Sequence, residues 1–427
     1  MQDRASETKP KTDTASGGAL SNIRVLDLSR ILAGPWASQI LGDLGADVIK
    51  IERPTGGDDT RGWGPPYLKG VEGSETTDAA YFACANRNKR SLAIDITSKE
   101  GQALIHQLVA RSDVVLENFK VGGLAKYGLD YNSLKAIKPD IVYCSITGFG
   151  QTGPDASKAG YDFMIQAMGG LMSVTGQPQG TPGGGPVKVG VALVDIMTGL
   201  YATIGILAAL AHRRETGEGQ YIDMALLDVQ VAALANQATN YLVSGKAPTQ
   251  MGNNHPNLMP YSAFPSSDGH FIIAIGNDSQ FARFCSLSGL DALIADERFA
   301  TNRARVKNRE ALAAKIAAVT VDRSARDWLS LLNDAGIPCG PINTIDQVFA
   351  EPQVIHRGMQ IALQREDGTQ VPGVANPICM SQTPATYNAP PPKLGEHSIA
   401  ILAGELGLSD KDIKRLITDG VVGAESP

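Results

Sequence analysis

The sequence predicts an α/β fold, with a large domain built on a doubly wound parallel sheet and a smaller α+β domain. Residues 24–52 have the pattern of a strand, a helix and a second strand, the compact unit that opens such a sheet. Strand-like and helix-like segments keep alternating up to about residue 224. The composition then changes, and a hairpin pattern followed by helices indicates a separate α+β domain.

The first unit is short and well marked. Arg24–Leu28 predicts a strand, Ala33–Pro35 a turn, Trp36–Leu44 a helix, and Asp47–Glu52 a second strand. An acid that ends the second strand is typical of a ribose contact in dinucleotide sites. The first turn lacks the G-x-G-x-x-G pattern, however, so the sequence disfavours a dinucleotide.

Three further segments lead to a glycine-dense loop. We predict a helix at Ser98–Ala110 and strands at Val114–Phe119 and Ile141–Ile146. The loop Thr147–Pro154 follows the last of these strands, and open α/β sheets bind ligands at such places because small residues let a ligand approach the backbone. Asp162 then opens an apolar helical segment. A lone Asp at a helix start is more often an N-cap than a functional group.

A basic run at residues 86–90 precedes a predicted strand that begins at Ser91. Asn86–Arg90 carries three cations in four residues. Such a run is usually a solvated surface, but beside a glycine-rich loop it can also hold phosphate through charge-assisted hydrogen bonds. Arg87 and Arg90 are therefore candidate phosphate partners.

The chain divides into four predicted parts. These are a disordered tail over residues 1–20, the N-terminal part of the large domain over 21–224, the small domain over 225–335, and a return to the large domain over 336–427. In the small domain we predict helices at 225–242, 279–287 and 309–318 and a hairpin at 261–275, and in the return, helices at 345–350 and 411–417 and strands at 358–363 and 370–374.

Composition argues against several classes of protein. The chain has 427 residues, a formal net charge of −6 and a pI near 5.6, so its overall field repels nucleic acid and anionic membranes. The apolar stretch around Ile196–Leu210 is shorter than a membrane span. Five distant cysteines without a C-x-x-C pair and six scattered histidines predict neither a disulfide framework nor a metal site, and they fit a reducing cytoplasm.

Several of these stretches, taken together, resemble the class III coenzyme A transferases. They occur in the family's order from about residue 20 to the C-terminus. The segments are residues 25–35 (VLDLSRILAGP), 44–54 (LGADVIKIERP), 88–91 (NKRS), 117–119 (ENF), 147–154 (TGFGQTGP), 160–162 (GYD) and 394–397 (LGEH).

The resemblance implies properties that spacing alone does not. It implies a Rossmann-like large domain contributed by both ends of the sequence, a small domain from the middle, and a homodimer of two interlocked chains. It implies acyl-CoA and a carboxylic acid as substrates, with no metal, no nucleic acid and no membrane partner. Glycine-rich segments at residues 180–190 and 251–257 are candidate lids that exclude water.

By resemblance, Asp162 stands at the place of the family's nucleophile. A carboxylate with an ordinary pKa of about 3.9 is ionised at neutral pH and can attack a thioester. The implied intermediates are an aspartyl anhydride and an aspartyl-CoA thioester. Nearby backbone N–H groups would stabilise each oxyanion.

The resemblance also assigns a CoA groove and, with the middle loop, candidate substrate contacts. For each apolar member, ordinary core packing is the competing interpretation, and for the middle loop it is a solvated turn. The groove residues are Ile31, Ala33, Arg53, Arg90, Ile94, Thr97, Asn118, Phe119, Lys126, Thr147 and Gly148. The substrate residues are Leu32, Phe149, Gln151, Asn253, Asn254 and His255.

Substrate choice remains open between several activities. Leu32 and Lys126 replace a Gln and an Arg of the formyl-type pattern, and the sequence is more like the members that use succinyl-CoA and C4–C6 dicarboxylates of the glutarate, itaconate or malate type. A CoA-transferase for a monocarboxylate such as formate or carnitine is one alternative. A 2-methylacyl-CoA racemase is another, but Tyr161 stands where racemases carry a His base, although Asp195 is near their second acid. The third is a non-catalytic CoA-binding protein.

Overall fold

The computed structural model describes residues 18–424, and its contacts divide the chain into two units. Unit 1 contains the described residues up to Ile165, then Ala192–Ala232 and the chain from Gly358 onward. Unit 2 contains Gln166–Val191 and Ala233–Arg357. The predicted tail lies outside the described residues except for residues 18–20, where the Leu20 N–H donates to the carbonyl of Leu44.

The strands and helices follow the predicted alternation. The strands are β1 (Arg24–Asp27), β2 (Asp47–Glu52), β3 (Tyr67–Lys69), β4 (Glu75–Ala79), β5 (Lys89–Ile94), β6 (Val114–Glu117), β7 (Val142–Thr147), β8 (Tyr221–Ala225), β9 (Tyr261–Ser266), β10 (Gly269–Ala274), β11 (Cys339–Pro341), β12 (Gln360–Gln364), β13 (Gln370–Val374) and β14 (Val422–Gly423). The helices are α1 (Ala33–Asp43), α2 (Ala80–Ala83), α3 (Lys99–Val109), α4 (Tyr131–Ile137), α5 (Asp162–Met168), α6 (Leu171–Val174), α7 (Leu193–Thr216), α8 (Leu226–Ala233), α9 (Ala235–Ser244), α10 (Asp278–Ser288), α11 (Asn302–Lys307), α12 (Arg309–Thr320), α13 (Ala325–Asp334), α14 (Ile345–Ala350), α15 (Pro352–His356), α16 (Ser398–Gly404) and α17 (Asp410–Thr418).

Unit 1 is built on a seven-stranded sheet in the order β14-β5-β2-β1-β6-β7-β8. All neighbours are parallel except β14, which runs antiparallel to β5. Successive residues of β1 enter different cores: Val25 packs with residues of α1 and α7, and Leu26 packs with residues of α3, α16 and α17. Both faces of the sheet are therefore buried, as parallel sheets require.

Helix α7 is longer than the apolar stretch suggested. It has 24 residues and is the one helix among the described residues long and apolar enough to cross a membrane by length and composition. Val194, Ala202 and Ile206 belong to the core of unit 1. Buried core helices meet the same length criterion, so this feature is weak evidence for a membrane span.

Two predicted helix bounds need correction. The predicted turn at Ala33–Pro35 is the first turn of α1, where a proline is tolerated because its missing N–H has no helical partner there. The predicted helix over 225–242 is two helices, α8 and α9. Ala235, the first residue of α9, has φ +43°, a left-handed conformation that a continuous helix does not contain.

Unit 2 contains a three-stranded sheet, in the order β11-β10-β9, and its own core. The hairpin of β9 and β10 turns between Ser266 and Gly269, where the sequence predicts it. The predicted domain boundaries put two segments of unit 2 in the large domain. Residues 339–341 pair with β10, and Gly176 accepts a hydrogen bond from Gly252, which ties both segments to the rest of unit 2.

Candidate active site

A cavity of about 1100 Å³ opens at the carboxyl ends of the central strands of unit 1. Its wall takes residues that follow β1, β2, β5, β6 and β7. The carboxyl ends of parallel strands meet at one edge of a sheet, and this edge is where open α/β sheets bind ligands. The lining includes apolar side chains of several of these strands and of the residues after them, namely Leu28, Ile51, Ile94 and Ile146.

One wall is the turn of residues 29–32, which links β1 to α1. Ile31 has φ +72°, and left-handed backbone at a β-branched residue is a strained conformation that costs about 1–3 kcal/mol. Asn118 holds the turn, because its Oδ1 accepts from the Arg30 N–H at 2.9 Å and its Nδ2 donates to the Arg30 carbonyl at 2.7 Å. Arg30, Ile31 and Leu32 all line the cavity.

A second wall is the loop after β7, which is pinned at its neck. A Cβ on Gly148 would lie 2.5 Å from the Cα of Gly160, and one on Gly160 would lie 2.3 Å from the Cα of Gly148. No side chain fits at either position, so the backbone strands of the neck touch directly. Gly148 and Gly160 themselves line the cavity, together with Ala159 and Tyr161.

Asp162 and Asp195 differ in their positions at this site. Asp195 lines the cavity, in the first turn of α7. The lining does not include Asp162, whose Oδ2 accepts from the N–H of Val194 at 2.8 Å and from that of Asp195 at 3.4 Å. The Asp162 carboxylate therefore accepts from N–H groups in the first turn of α7, a helix other than the one that it opens, and its role as nucleophile stays a prediction.

Burial and the nearby charge of Asp162 raise the pKa of Asp195 to about 7. Tyr81 lies in the same field: burial, then the charge of Asp195, raises its pKa to about 12, so its hydroxyl stays protonated at neutral pH. A carboxylate that is poorly solvated when ionised is more reactive toward an electrophile than one in water. Asp195 thus combines a place in the cavity wall with a raised pKa.

Cations surround the mouth of the cavity. Arg30 and Arg53 both pair with one carboxylate, Asp59, at 2.8 and 2.7 Å, so this side of the mouth keeps a net positive charge. Lys120 and Lys126 are exposed and also line the cavity, as does Lys158. A pyrophosphate or a phosphate monoester is the kind of ligand that such a group of cations binds.

Comparison with known proteins identifies the family of the chain. The model of CoA-transferase family III matches residues 20–398. The chain belongs to that family. It is 54% identical to the succinate–glutarate CoA-transferase of Agrobacterium fabrum over 90% of this chain and 95% of that protein, and 42% identical to the human succinyl-CoA:glutarate CoA-transferase over 97% and 92%. A crystal structure of a CAIB/BAIF family protein from Brucella suis is 54% identical, with a TM-score of 0.80, covering 91% of this chain and all of that one.

As a family III CoA-transferase, the protein needs room for CoA, and most of the predicted groove residues lie around one cavity. Its lining contains Leu32 and every predicted groove residue except Arg90. These groove residues are Ile31, Ala33, Arg53, Ile94, Thr97, Asn118, Phe119, Lys126, Thr147 and Gly148. The cavity wall combines exposed cations with apolar side chains, which suits a phosphorylated nucleotide with an apolar arm.

Other predicted residues are placed elsewhere. Arg90 does not line the cavity: its guanidinium pairs with Asp47 and Glu405, so it is engaged within the fold rather than open to phosphate. Arg87 pairs with the buried Asp43 at 2.7 Å. The basic run of residues 86–90 therefore holds the fold together, an interpretation that charge alone could not select.

The remaining substrate candidates have local roles in the structure. Phe149 packs against the core of unit 1, and the Gln151 amide donates to Ser145 in a separate, smaller cavity. The middle-loop candidates Asn253, Asn254 and His255 lie in unit 2. There the Asn254 amide donates to the Met251 carbonyl, and His255 Nδ1 accepts from the Asn257 N–H.

Several residues of the cavity wall were not selected from the sequence, among them Arg30 and Lys158. Sequence reasoning noted Asp195 only for its place near the second acid of the racemases. An acid in the first turn of an apolar helix was the available signal for Asp195. That signal equally describes a cap, so only the three-dimensional placement separates it from Asp162.

Proposed function

We propose that this enzyme transfers CoA from succinyl-CoA to a C4–C6 dicarboxylic acid, glutarate being the first candidate, with Asp195 as nucleophile. The observation that carries the proposal is the position of Asp195 in the wall of a cavity with cations at its mouth. The family sets the reaction type, and the two relatives named for succinate or succinyl-CoA and glutarate support the substrate class.

The first half of the reaction releases the donor acid. An Asp195 carboxylate oxygen attacks the thioester carbonyl, the carbon–sulfur bond breaks, and CoA leaves as a thiolate. The product is a mixed anhydride of Asp195 and the donor acyl group. The thiolate then attacks the Asp195 carbonyl, and the donor acid leaves as a carboxylate while an aspartyl-CoA thioester remains.

The second half repeats these steps in reverse. The acceptor carboxylate attacks the aspartyl carbonyl, expels the CoA thiolate and forms a new anhydride. The thiolate attacks the acceptor acyl carbon, and Asp195 is regenerated as a carboxylate. Neither half consumes water or a net proton, so the site must exclude water, which would hydrolyse either intermediate.

We also propose the homodimer, with the interlocked arrangement that the resemblance implies, and a cytoplasmic location. Several large apolar side chains are exposed on the single chain, including Leu200 and Ile204 of α7 and Leu242 and Val243 of α9. Exposed apolar groups of this kind are typical of surfaces that a partner covers. A monomeric mass by light scattering would contradict the dimer.

The decisive experiment combines an acceptor panel with a trap. We expect succinyl-CoA with glutarate to give glutaryl-CoA, and smaller rates with formate or carnitine. Borohydride added during turnover reduces an aspartyl thioester to an alcohol, and peptide mass spectrometry then locates it. We expect the label on Asp195; a label on Asp162 would support the sequence prediction instead, and deuterium exchange at an α-carbon without any acceptor would favour the racemase.

A further inference from the structure

The turn of residues 29–32 is held by side chains from three separate parts of unit 1. Besides the two Asn118 contacts to Arg30, Lys50 Nζ donates to the Ser29 carbonyl at 2.9 Å. The Ile31 N–H points to Asp58 Oδ1 at 3.3 Å. Side chains thus hold successive backbone groups from the Ser29 carbonyl to the N–H of the strained residue Ile31.

The anchors of this turn are themselves fixed. Lys50 and Asp58 are fully buried at their side chains and pair at 2.9 Å. Asp58 Oδ1 also accepts from the N–H of Thr60 at 3.0 Å. Strained backbone persists where the surroundings determine it more than once, and this arrangement meets that condition.

We propose that Asn118 is a positioning residue, whose amide holds Ile31 in its left-handed conformation and so places Ile31 and Leu32 as the wall against the acyl-CoA arm. The proposal rests on the proposed function, and it gives Asn118 a role other than direct contact with CoA. The amide suits the task because the Arg30 N–H needs an acceptor and the Arg30 carbonyl needs a donor. An aspartate in its place would have no donor for the carbonyl.

A double-mutant cycle between Asn118 and Ile31 tests this. Glycine adopts positive φ without strain, so Ile31→Gly removes the need for the restraint. In the ligand-free protein we expect Asn118→Ala to lower the melting temperature by about 3–6 °C, and by less than half as much in the Ile31→Gly background. In the wild-type background, Asn118→Ala should raise the KM for acyl-CoA about tenfold, with a smaller change in kcat. In the Ile31→Gly background, the same substitution should raise that KM by less than about threefold.

Ile96→Gly is the matched control. Ile96 is also half-buried and lines the same cavity, but its φ is not positive. We expect the effects of Asn118→Ala and Ile96→Gly on both quantities to add independently.

Each outcome decides the proposal. Additive melting temperatures for Asn118→Ala and Ile31→Gly would overturn the restraint of the turn. The positioning role would be overturned if the effects on melting temperature were coupled but Asn118→Ala left the KM for acyl-CoA unchanged. It would also be overturned if the KM of the double variant equalled the product of the two separate effects. The melting temperatures need no substrate, and CoA binding by calorimetry can replace KM, so failure of the transfer reaction itself would be visible separately in the acceptor panel.

Discussion

Two groups of carboxylates, one buried and one half-buried, lie near the same cavity but have opposite electrostatics. In the first group, which we call the ion network, Glu52, Asp58 and Asp78 pair with Lys50, Arg61 and Arg365 at 2.7 to 2.9 Å. Burial alone would raise the pKa of Asp58, but the charge of Lys50 and hydrogen bonds from Thr60 and Lys50 outweigh it and lower that pKa to about 2. In the second group, burial and Asp162 raise the pKa of Asp195 to about 7.

This difference in pKa distinguishes the carboxylates of the ion network, which stabilise the fold, from Asp195, which we propose as the nucleophile. A carboxylate matched by a buried cation is stabilised as an anion, which makes it a weak nucleophile and a firm anchor. Asp195 is raised in energy when ionised, so forming a covalent bond through its oxygen relieves an unfavourable charge. The ion network fixes the strands' ends and the turn beside them, and Asp195 stands in the wall that they position.

The largest expected effect comes from removing the reactive carboxylate. Asp195→Asn should lower kcat for CoA transfer roughly 10⁴-fold or more, because an amide cannot form the anhydride. Asp162→Asn should retain far more activity, since an amide oxygen can still accept from the Val194 N–H. Coupled assays of thioester exchange measure both, and an inactive Asp162→Asn beside an active Asp195→Asn would reverse the assignment.

Stability provides the control for that experiment. The pKa of Asp195 is about 7 in the folded protein, above its value of 3.8 in the unfolded chain. Its protonated carboxyl group therefore stabilises the fold at pH values below 3.8, and this contribution is lost as the pH rises through about 7. Asp195→Asn should therefore melt at or above the wild-type temperature at pH 8. A large fall in melting temperature would mean that lost activity reflects lost structure.

Breaking the ion network should chiefly cost stability. Arg61→Met leaves the buried Glu52 carboxylate without its guanidinium partner, and we expect the free energy of unfolding to fall by about 3–5 kcal/mol. Denaturant titration measures it. The control is Arg415→Met, which removes the exposed pair with Glu100 and should leave the unfolding midpoint almost unchanged. Equal effects in the two variants would show that burial does not distinguish them.

The pH dependence of the rate should follow Asp195. Because the attacking form is the carboxylate and its pKa is about 7, kcat/KM should fall tenfold for each pH unit below that value. Asp162→Asn removes one of the two causes of the shift, so its profile should move to lower pH. Rates measured from pH 5 to 9 check this, and a profile that is flat down to pH 5 would contradict the raised pKa.

The smallest effect concerns Asp58. Its folded pKa is lowered to about 2 from 3.8, so its contribution to stability is present above pH 4 and is lost as pH falls through about 2. That contribution is about 2 kcal/mol. Asp58→Asn should be less stable than wild type at pH 7, with the difference narrowing between pH 4 and 2 in thermal melts. A gap that stays constant over this range would argue against the shift.

Much of the fold was predictable because its signals are local. Apolar runs, glycines at turns and the Ser98 cap define α3 and the central strands within a few residues. The cap itself is confirmed by a hydrogen bond from the Gly101 N–H to Ser98 Oγ at 2.9 Å. The break between α8 and α9 was not predictable, because an alanine at positive φ has no sequence signature.

The position of the cavity was predictable, but the placement of its charged side chains was not. Motifs placed the cavity at the ends of the strands, yet spacing cannot tell a carboxylate that faces a cavity from one that caps the neighbouring helix, as Asp195 and Asp162 do. Nor could the sequence reveal that Arg90 forms ion pairs with Asp47 and Glu405, since both partners are distant from it along the chain. Its charge alone had made Arg90 a candidate for binding phosphate.

The neck at Gly148 and Gly160 has a consequence for how relatives of this enzyme can diverge. Because the two glycines fix where the loop leaves and rejoins the fold, residues 149–159 can change in length and sequence without displacing either end. Ala156, Lys158 and Ala159 lie in this interval and line the cavity. The loop is thus an exchangeable module, through which selection can change the mouth of the cavity for new acids without moving the proposed nucleophile on α7.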